Sequence, residues 1–154
     1  MDGTRRLLVV FHSQSGSVER MADAVVRGAR REAGVEVRSV RALAAGLDDL
    51  LWAEALLVGT PENFGYMSGA LKDFFDRTFY PAQGKVHGLP YAIFIKAGND
   101  GTGAISAIER IARGFPLKPV AEPVIARGDL TDGDIERCEE LGQTLAAGLA
   151  LGIF

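Results

Sequence analysis

The chain has 154 residues, 17 Lys and Arg against 20 Asp and Glu, and a formal net charge of -3, which leaves no basic footprint for nucleic acid. At 47% hydrophobic and 24% charged, it is neither disordered nor fibrous, and no apolar stretch approaches the roughly 20 residues that span a bilayer. One cysteine forms no internal disulfide, and Arg5 and Arg6 precede an apolar run of only Leu7 to Phe11, too short for a signal peptide, so a single domain over 1–154, free of membrane and at home in a reducing cytoplasmic compartment, is expected.

Strand and helix signals alternate along the chain. Leu7 to Phe11 is a short, wholly apolar run and reads as a buried strand. Val18, Met21, Ala22, Val25, Val26 and Ala29 then recur at helical spacing, with Gly34 as a stop signal beyond. Val35 to Val40 alternates apolar and polar, as in a strand with one exposed side. Leu47 to Trp52 is a short helix, and Ala53 to Val58 a second apolar strand ended by Gly59-Thr60-Pro61. Ser68 is the candidate N-cap of a helix that carries Leu71, Phe74, Phe75 and Thr78 on one stripe. Tyr91 to Ala97 is a third apolar strand, followed by a helix over 104–114. Val120 to Ala126 reads as a strand, flanked and interrupted by Pro119 and Pro123. Thr131 opens a last helix whose buried face holds Ile135, Cys138, Leu141, Leu145 and Leu149.

Five βα units imply a parallel sheet with helices on both faces. The three wholly apolar strands belong in the middle. The alternating strand and the proline-bearing strand belong at the edges. That gives a doubly wound, five-stranded sheet in the order 2-1-3-4-5, with a ligand crevice at the carboxyl ends of the central strands.

The excess residue type is glycine, 19 in the chain against a usual share of roughly 7%. Six of those glycines fall in three polar loops that leave the central strands. The first loop holds Ser13, Gln14, Ser15, Gly16, Ser17 and Val18 and runs into a helix N-terminus, where free N–H groups and the helix dipole favour an anion. It has no lysine, so it is not a Walker A loop and suits one phosphate held by neutral donors, or a serine-rich cap that binds nothing. The second holds Pro61, Glu62, Asn63, Phe64, Gly65 and Tyr66, with Gly69 beyond. Its aromatics suit either a flat ring or ordinary packing beneath the loop. The third holds Gly98, Asn99, Asp100, Gly101 and Gly103. Gly101-Thr102-Gly103 is similar to the start of a dinucleotide fingerprint, but Ser106 stands where its third glycine belongs, and it follows the fourth strand rather than the first.

With these segments the chain resembles the flavodoxin-like FMN-binding family, and more narrowly its NAD(P)H-dependent FMN and quinone reductases. The resemblance runs from Leu7 to Leu145. It rests most on Phe11-His12-Ser13-Gln14-Ser15-Gly16 and on Gly59 to Lys72, with Asp76-Arg77 ending the following helix pattern. It implies a flavodoxin-like fold and FMN as cofactor. Ser13 to Val18 would hold the phosphate, and Pro61 to Tyr66 with Ala97 to Gly103 would flank the isoalloxazine. It also implies electron flow from NADH or NADPH to a quinone or another small acceptor, or to a redox partner protein. Gln14 departs from the Thr or Tyr common beside the phosphate serines, and the chain lacks the segment that larger quinone reductases carry after the fourth strand.

The flavin carries the redox chemistry, so no side chain is needed as nucleophile, and no metal site is read. Backbone N–H groups around Asn63-Phe64-Gly65 are expected on the ring, with Glu62 and Asp100 placing negative charge near it. His12, beside the phosphate loop, is a ligand donor or a loop-orienting residue, His87 is a surface residue, and Cys138 is core packing. The alternative is a flavodoxin-type carrier needing a separate reductase, which a net charge of -3 disfavours because carriers present a strongly acidic face. A phosphoacceptor receiver domain is excluded, since Phe11-His12 and Gly59-Thr60 stand where its acidic residues belong. The apolar end, Leu149 to Phe154, suits packing on the domain or on a second subunit in a homodimer.

Overall fold

The computed structural model describes residues 3–154. Its strands are β1 (Arg5–Phe11), β2 (Val35–Arg41), β3 (Ala55–Pro61), β4 (Leu89–Ala97), β5 (Leu117–Pro119) and β6 (Val124–Arg127). Its helices are α1 (Ser17–Ala29), α2 (Leu47–Trp52), α3 (Gly69–Ala82), α4 (Thr102–Gly114) and α5 (Asp132–Leu151). All strand pairs are parallel and the order is β2-β1-β3-β4-β5, with β6 also on β4.

The expected fifth strand over 120–126 is a correction. Its place is taken by two short strands on one edge of β4. β5 pairs with Leu89 to Tyr91, and β6 with Phe94 to Ala97. Pro119 and Pro123 have no N–H to give, so the ladder breaks over 120–123, where only the Val120 N–H reaches back to the Tyr91 carbonyl at 3.1 Å.

Handedness then sorts the helices. A right-handed crossover from β1 out to β2 puts α1 on one face. From β2 the chain reverses across the sheet, so α2, α3 and α4 lie on the other. The strands serve both faces by alternation. Leu8, Val10, Leu56, Val58, Ile93 and Ile95 meet α2, α3 and α4, whereas Leu7, Val9, Phe11, Leu57 and Phe94 meet α1 and α5.

Glycine packs this second face. A Cβ on Gly28 of α1 would lie 1.8 Å from the Glu139 carbonyl oxygen of α5, and one on Gly142 of α5 would lie 1.9 Å from the Val25 carbonyl oxygen of α1. The two backbones touch at two reciprocal points, and Glu139 adds ion pairs to Arg27 at 3.1 Å and Arg31 at 3.3 Å. In β3, Gly59 stands opposite Phe94, whose ring lies where a Cβ would be, at 2.0 Å. At the C-terminus, Phe154 covers Gly148 in the same way, while Leu151 and Ile153 stay exposed. Cys138 is buried on α5, and burial pushes its thiol up to about 12.

Helix starts are capped as the sequence suggests. Ser68 Oγ accepts the Leu71 N–H at 3.2 Å. Thr131 and Asp134 form a reciprocal capping box on α5, each side chain accepting the other's backbone N–H. Burial alone raises the Asp134 carboxyl, but the Thr131 N–H, the Arg137 guanidinium and the Thr131 hydroxyl outweigh it and hold it below its ordinary range.

Two outcomes follow. Gly→Ala inside a helix ordinarily stabilises by about 1 kcal/mol, but Gly142→Ala should destabilise by about 1–3 kcal/mol because the methyl meets backbone. Gly133→Ala, in the same helix with only the Thr131 hydroxyl at 3.7 Å, should be neutral or stabilising. Urea midpoints of the two variants check this. A carboxyl depressed in the folded state adds stability above its unfolded pKa and loses it as pH falls through the folded one. The Asp134 contribution should therefore be full above about pH 4 and decline below it. Asp134→Asn should remove that part of the acid-side slope in unfolding midpoints measured against pH.

Candidate functional site

Three helices begin at the carboxyl edge of the central strands, and the loops leading into them form the crevice. From β1, the His12 N–H donates to the Gly59 carbonyl at 3.0 Å, which fixes the start of the first loop beside β3. Ser13 Oγ accepts the Gly16 N–H at 3.1 Å. Gly16 is the N-cap of α1 at φ 97, a left-handed conformation that glycine adopts without steric penalty. Among the described residues, no protein acceptor takes the backbone N–H of Ser15, Ser17 or Val18. Gln14 and Ser15 are exposed and Ser13 and Ser17 half-buried, while the Val18 side chain is core, so only its backbone faces the loop.

The second loop is a hairpin on a strap. The buried Thr60 hydroxyl donates to the Pro61 carbonyl at 2.8 Å and accepts the Ser68 N–H at 2.9 Å, closing the base of the excursion. Above it, Asn63 and Tyr66 exchange backbone hydrogen bonds at 2.9 Å each around the two-residue turn Phe64-Gly65. Both turn residues have positive φ, 55° at Phe64 and 70° at Gly65, as a primed hairpin turn requires. Glycine meets that demand freely and phenylalanine does not. Phe64 gains no packing in return, since its side chain is fully exposed, and Tyr66 is exposed as well. Neither aromatic is core beneath the loop. The pairing claims the Asn63 N–H, so of the three expected ring-facing donors only those of Phe64 and Gly65 lack a protein acceptor among the described residues.

The third loop is shorter than expected. α4 begins at Thr102, so Gly103 belongs to its first turn, while Gly98, Asn99 and Asp100 are exposed and Gly101 is buried. Asp100 Oδ1 accepts the Thr102 N–H at 3.0 Å and its hydroxyl at 2.9 Å, and these bonds hold the carboxyl below its ordinary range. Arg127 donates to the Asp100 carbonyl at 3.2 Å. The next two donors of α4 are taken from the second loop. Glu62 Oε2 accepts the Gly103 N–H at 3.1 Å and the Ala104 N–H at 3.2 Å. The Ile105 N–H reaches the Gly101 carbonyl at 3.2 Å. The first three N–H groups of α4, those of Thr102, Gly103 and Ala104, are thus all taken, which leaves the fingerprint-like Gly101-Thr102-Gly103 only the Gly101 N–H without a protein acceptor among the described residues. The Glu62 carboxylate, expected as a charge beside a ring, lies against the positive end of this helix.

The hairpin and α4 also touch directly, since a Cβ on Gly103 would lie 2.0 Å from the Gly65 carbonyl oxygen. The Thr60 strap and the Glu62–α4 bonds are the parts of the crevice geometry not foreseen from the sequence. A buried hydroxyl at the end of an apolar strand was the available signal for Thr60. Of the other candidates, His12 is half-buried, His87 is exposed and Lys72 pairs with Asp76 at 2.7 Å. A groove of ≈ 320 Å³ between α3 and α4 includes Phe75, Phe79, Tyr80 and Ile111 in its lining and none of the three loops. No described helix is long and apolar enough to cross a membrane.

Comparison with known proteins gives the same architecture. The sequence family described as NADPH-dependent FMN reductase matches residues 38–113, from β2 through nearly all of α4, which takes in the second and third loops but not the first. A flavodoxin of Aquifex aeolicus is 30% identical over 162 residues, covering 95% of this chain and 88% of that protein. An NAD(P)H dehydrogenase (quinone) of Acidithiobacillus ferrooxidans is 36% identical over 93 residues, covering 47% of this chain and 46% of that protein, so less than half of the relative is matched. A solved flavodoxin from the domain Archaea is 26% identical with a TM-score of 0.80, covering 94% of this chain and 98% of that one. The strand order, the three loops at one edge and a relative matched along nearly all of its length agree: the chain belongs to the flavodoxin-like family of FMN-binding proteins.

Proposed function

We propose that the chain is an FMN-dependent oxidoreductase that takes two electrons from NADH or NADPH and delivers them to a quinone or similar small acceptor. The observation that carries the cofactor assignment is the contrast between helix starts. Asp100 and Glu62 take all three first N–H groups of α4 and Ser68 takes one in α3, while the start of α1 has no side-chain cap. An open start on a helix of 13 residues, behind a loop with three serines, fits a terminal phosphate.

Bound FMN supplies the two-electron chemistry. The chain supplies binding, orientation and shielding. Ser15, Ser17 and Val18 hold the phosphate through backbone N–H groups, with the Ser13, Ser15 and Ser17 hydroxyls and exposed Gln14 around it. Gly16 keeps that loop close to its ligand. Pro61, Glu62, Asn63, Phe64, Gly65 and Tyr66 form one wall of the ring site, and the free N–H groups of Phe64 and Gly65 are its donors. Gly98, Asn99, Asp100 and Gly101 form the other wall, and Gly103 supports the first wall from behind. No side chain moves a proton or attacks a substrate in this scheme.

The Aquifex relative favours a second reading, a carrier that binds FMN and needs a separate reductase. Anaerobic addition of NADH or NADPH to the purified yellow protein separates the two. Prompt bleaching of the visible flavin bands is expected. A spectrum that stays oxidised until a reductase is added would assign the carrier role.

The phosphate assignment has its own test. Ser15→Asp places a carboxylate at the open start of α1. It should lower FMN affinity at least tenfold (about 1.4 kcal/mol) and leave riboflavin, which has no phosphate, nearly unaffected. Equal loss of both ligands would reject the loop as the phosphate site.

A further inference from the structure

We infer that Glu62 is a positioning residue that couples the 62–66 hairpin to the start of α4, so that the two walls of the crevice behave as one unit. Two independent contacts carry this. The Glu62 carboxylate accepts both the Gly103 and the Ala104 N–H, at 3.1 and 3.2 Å. The Gly65 carbonyl at the hairpin tip rests where a Cβ on Gly103 would be. One contact holds the base of the hairpin and the other its tip, and both end on the same helical turn.

The chemistry suits an anchor. Bonds from N–H groups to an ionised carboxylate are roughly twice as strong as neutral ones, and the helix N-terminus adds attraction. Among the described residues, the hairpin is also tied at its ends, and Met67 just beyond it is buried in the core. The Thr60 strap holds its base, the Glu62 N–H donates to the Lys96 carbonyl at 2.9 Å, and the Asn63–Tyr66 pair closes on itself. The Phe64-Gly65 turn sits in a backbone region unfavourable to phenylalanine, so an unanchored hairpin has reason to relax. Asp100 caps the same helix through Thr102 without touching the hairpin. It therefore separates coupling from simple capping.

The coupling stands on the apoprotein alone. Its effect on flavin rests on the FMN reading above. Amide hydrogen exchange of isotope-labelled apoprotein, followed by NMR, tests the first. Glu62→Ala should speed exchange at Gly103 and Ala104, and also at Asn63 and Tyr66, at least tenfold. Glu62→Gln, which keeps an accepting oxygen, should restore much of the protection. Asp100→Ala should speed Thr102 and leave Asn63 and Tyr66 unchanged. Acceleration confined to Gly103 and Ala104 in Glu62→Ala would overturn the coupling and leave Glu62 a mere helix cap. FMN titration of the same proteins tests the second. Glu62→Ala should bind FMN about tenfold more weakly, with Glu62→Gln close to the parent. If no variant and no parent binds flavin, the FMN reading fails while the exchange result stands. If the parent binds and Glu62→Ala binds equally well, the hairpin needs no anchor and the inference for the flavin site is overturned.

Discussion

The first backbone N–H groups of a helix have no partner in their own helix, and the carboxyl edge of this sheet gathers three such helix starts. How each is satisfied organises the molecule. In α3 the side chain of Ser68 takes one of these groups, the Leu71 N–H. α4 is closed by Asp100 from its own loop and by Glu62 from the neighbouring one. α1 has Gly16 as its cap, which carries no side chain to turn back on the helix. The three starts therefore differ: α4 is closed, α3 is capped at one N–H, and α1 has no side-chain cap.

The rest of the fold holds those starts in place. Alternating residues of β1, β3 and β4 fill both faces, so the carboxyl ends of three central strands are fixed by core on either side. The His12–Gly59 bond carries that registration into the first loop, and the Thr60–Ser68 bond carries it into the second. The loops of the crevice are thus supported from rigid strands, an arrangement common among α/β folds.

Much of this was legible in the sequence because it follows from local composition. Unbroken apolar runs marked the central strands, and prolines marked the far edge. Ser68 and Thr131 announced their helices because an N-cap acts on residues two or three positions ahead. The loop serines and Gly16 stood next to a strand and a helix, so their location at the crevice needed only the topology. What was not legible depends on distant partners. Glu62 looked like a charge available to a ring, and nothing near it in sequence discloses that Gly103 and Ala104 take it. Nothing near Gly142 and Gly148 in sequence discloses that Val25 and Phe154 lie against them. The split of the last strand lay between these cases. The prolines predicted an edge, but a break also required β4 to be long enough to host two partners.

The reciprocal glycines of α1 and α5 bear on more than packing. Backbone against backbone leaves no flexible side chain to absorb a tilt, so α1 cannot rock without dragging the longest helix of the protein with it. The α1 end of the crevice is therefore its stiff end. The hairpin is held differently, by the Thr60 strap, the Glu62 bonds to Lys96 and α4, and the close approach of Gly65 to Gly103. In the FMN site proposed above, the phosphate would meet the stiff end and the ring would meet the hairpin.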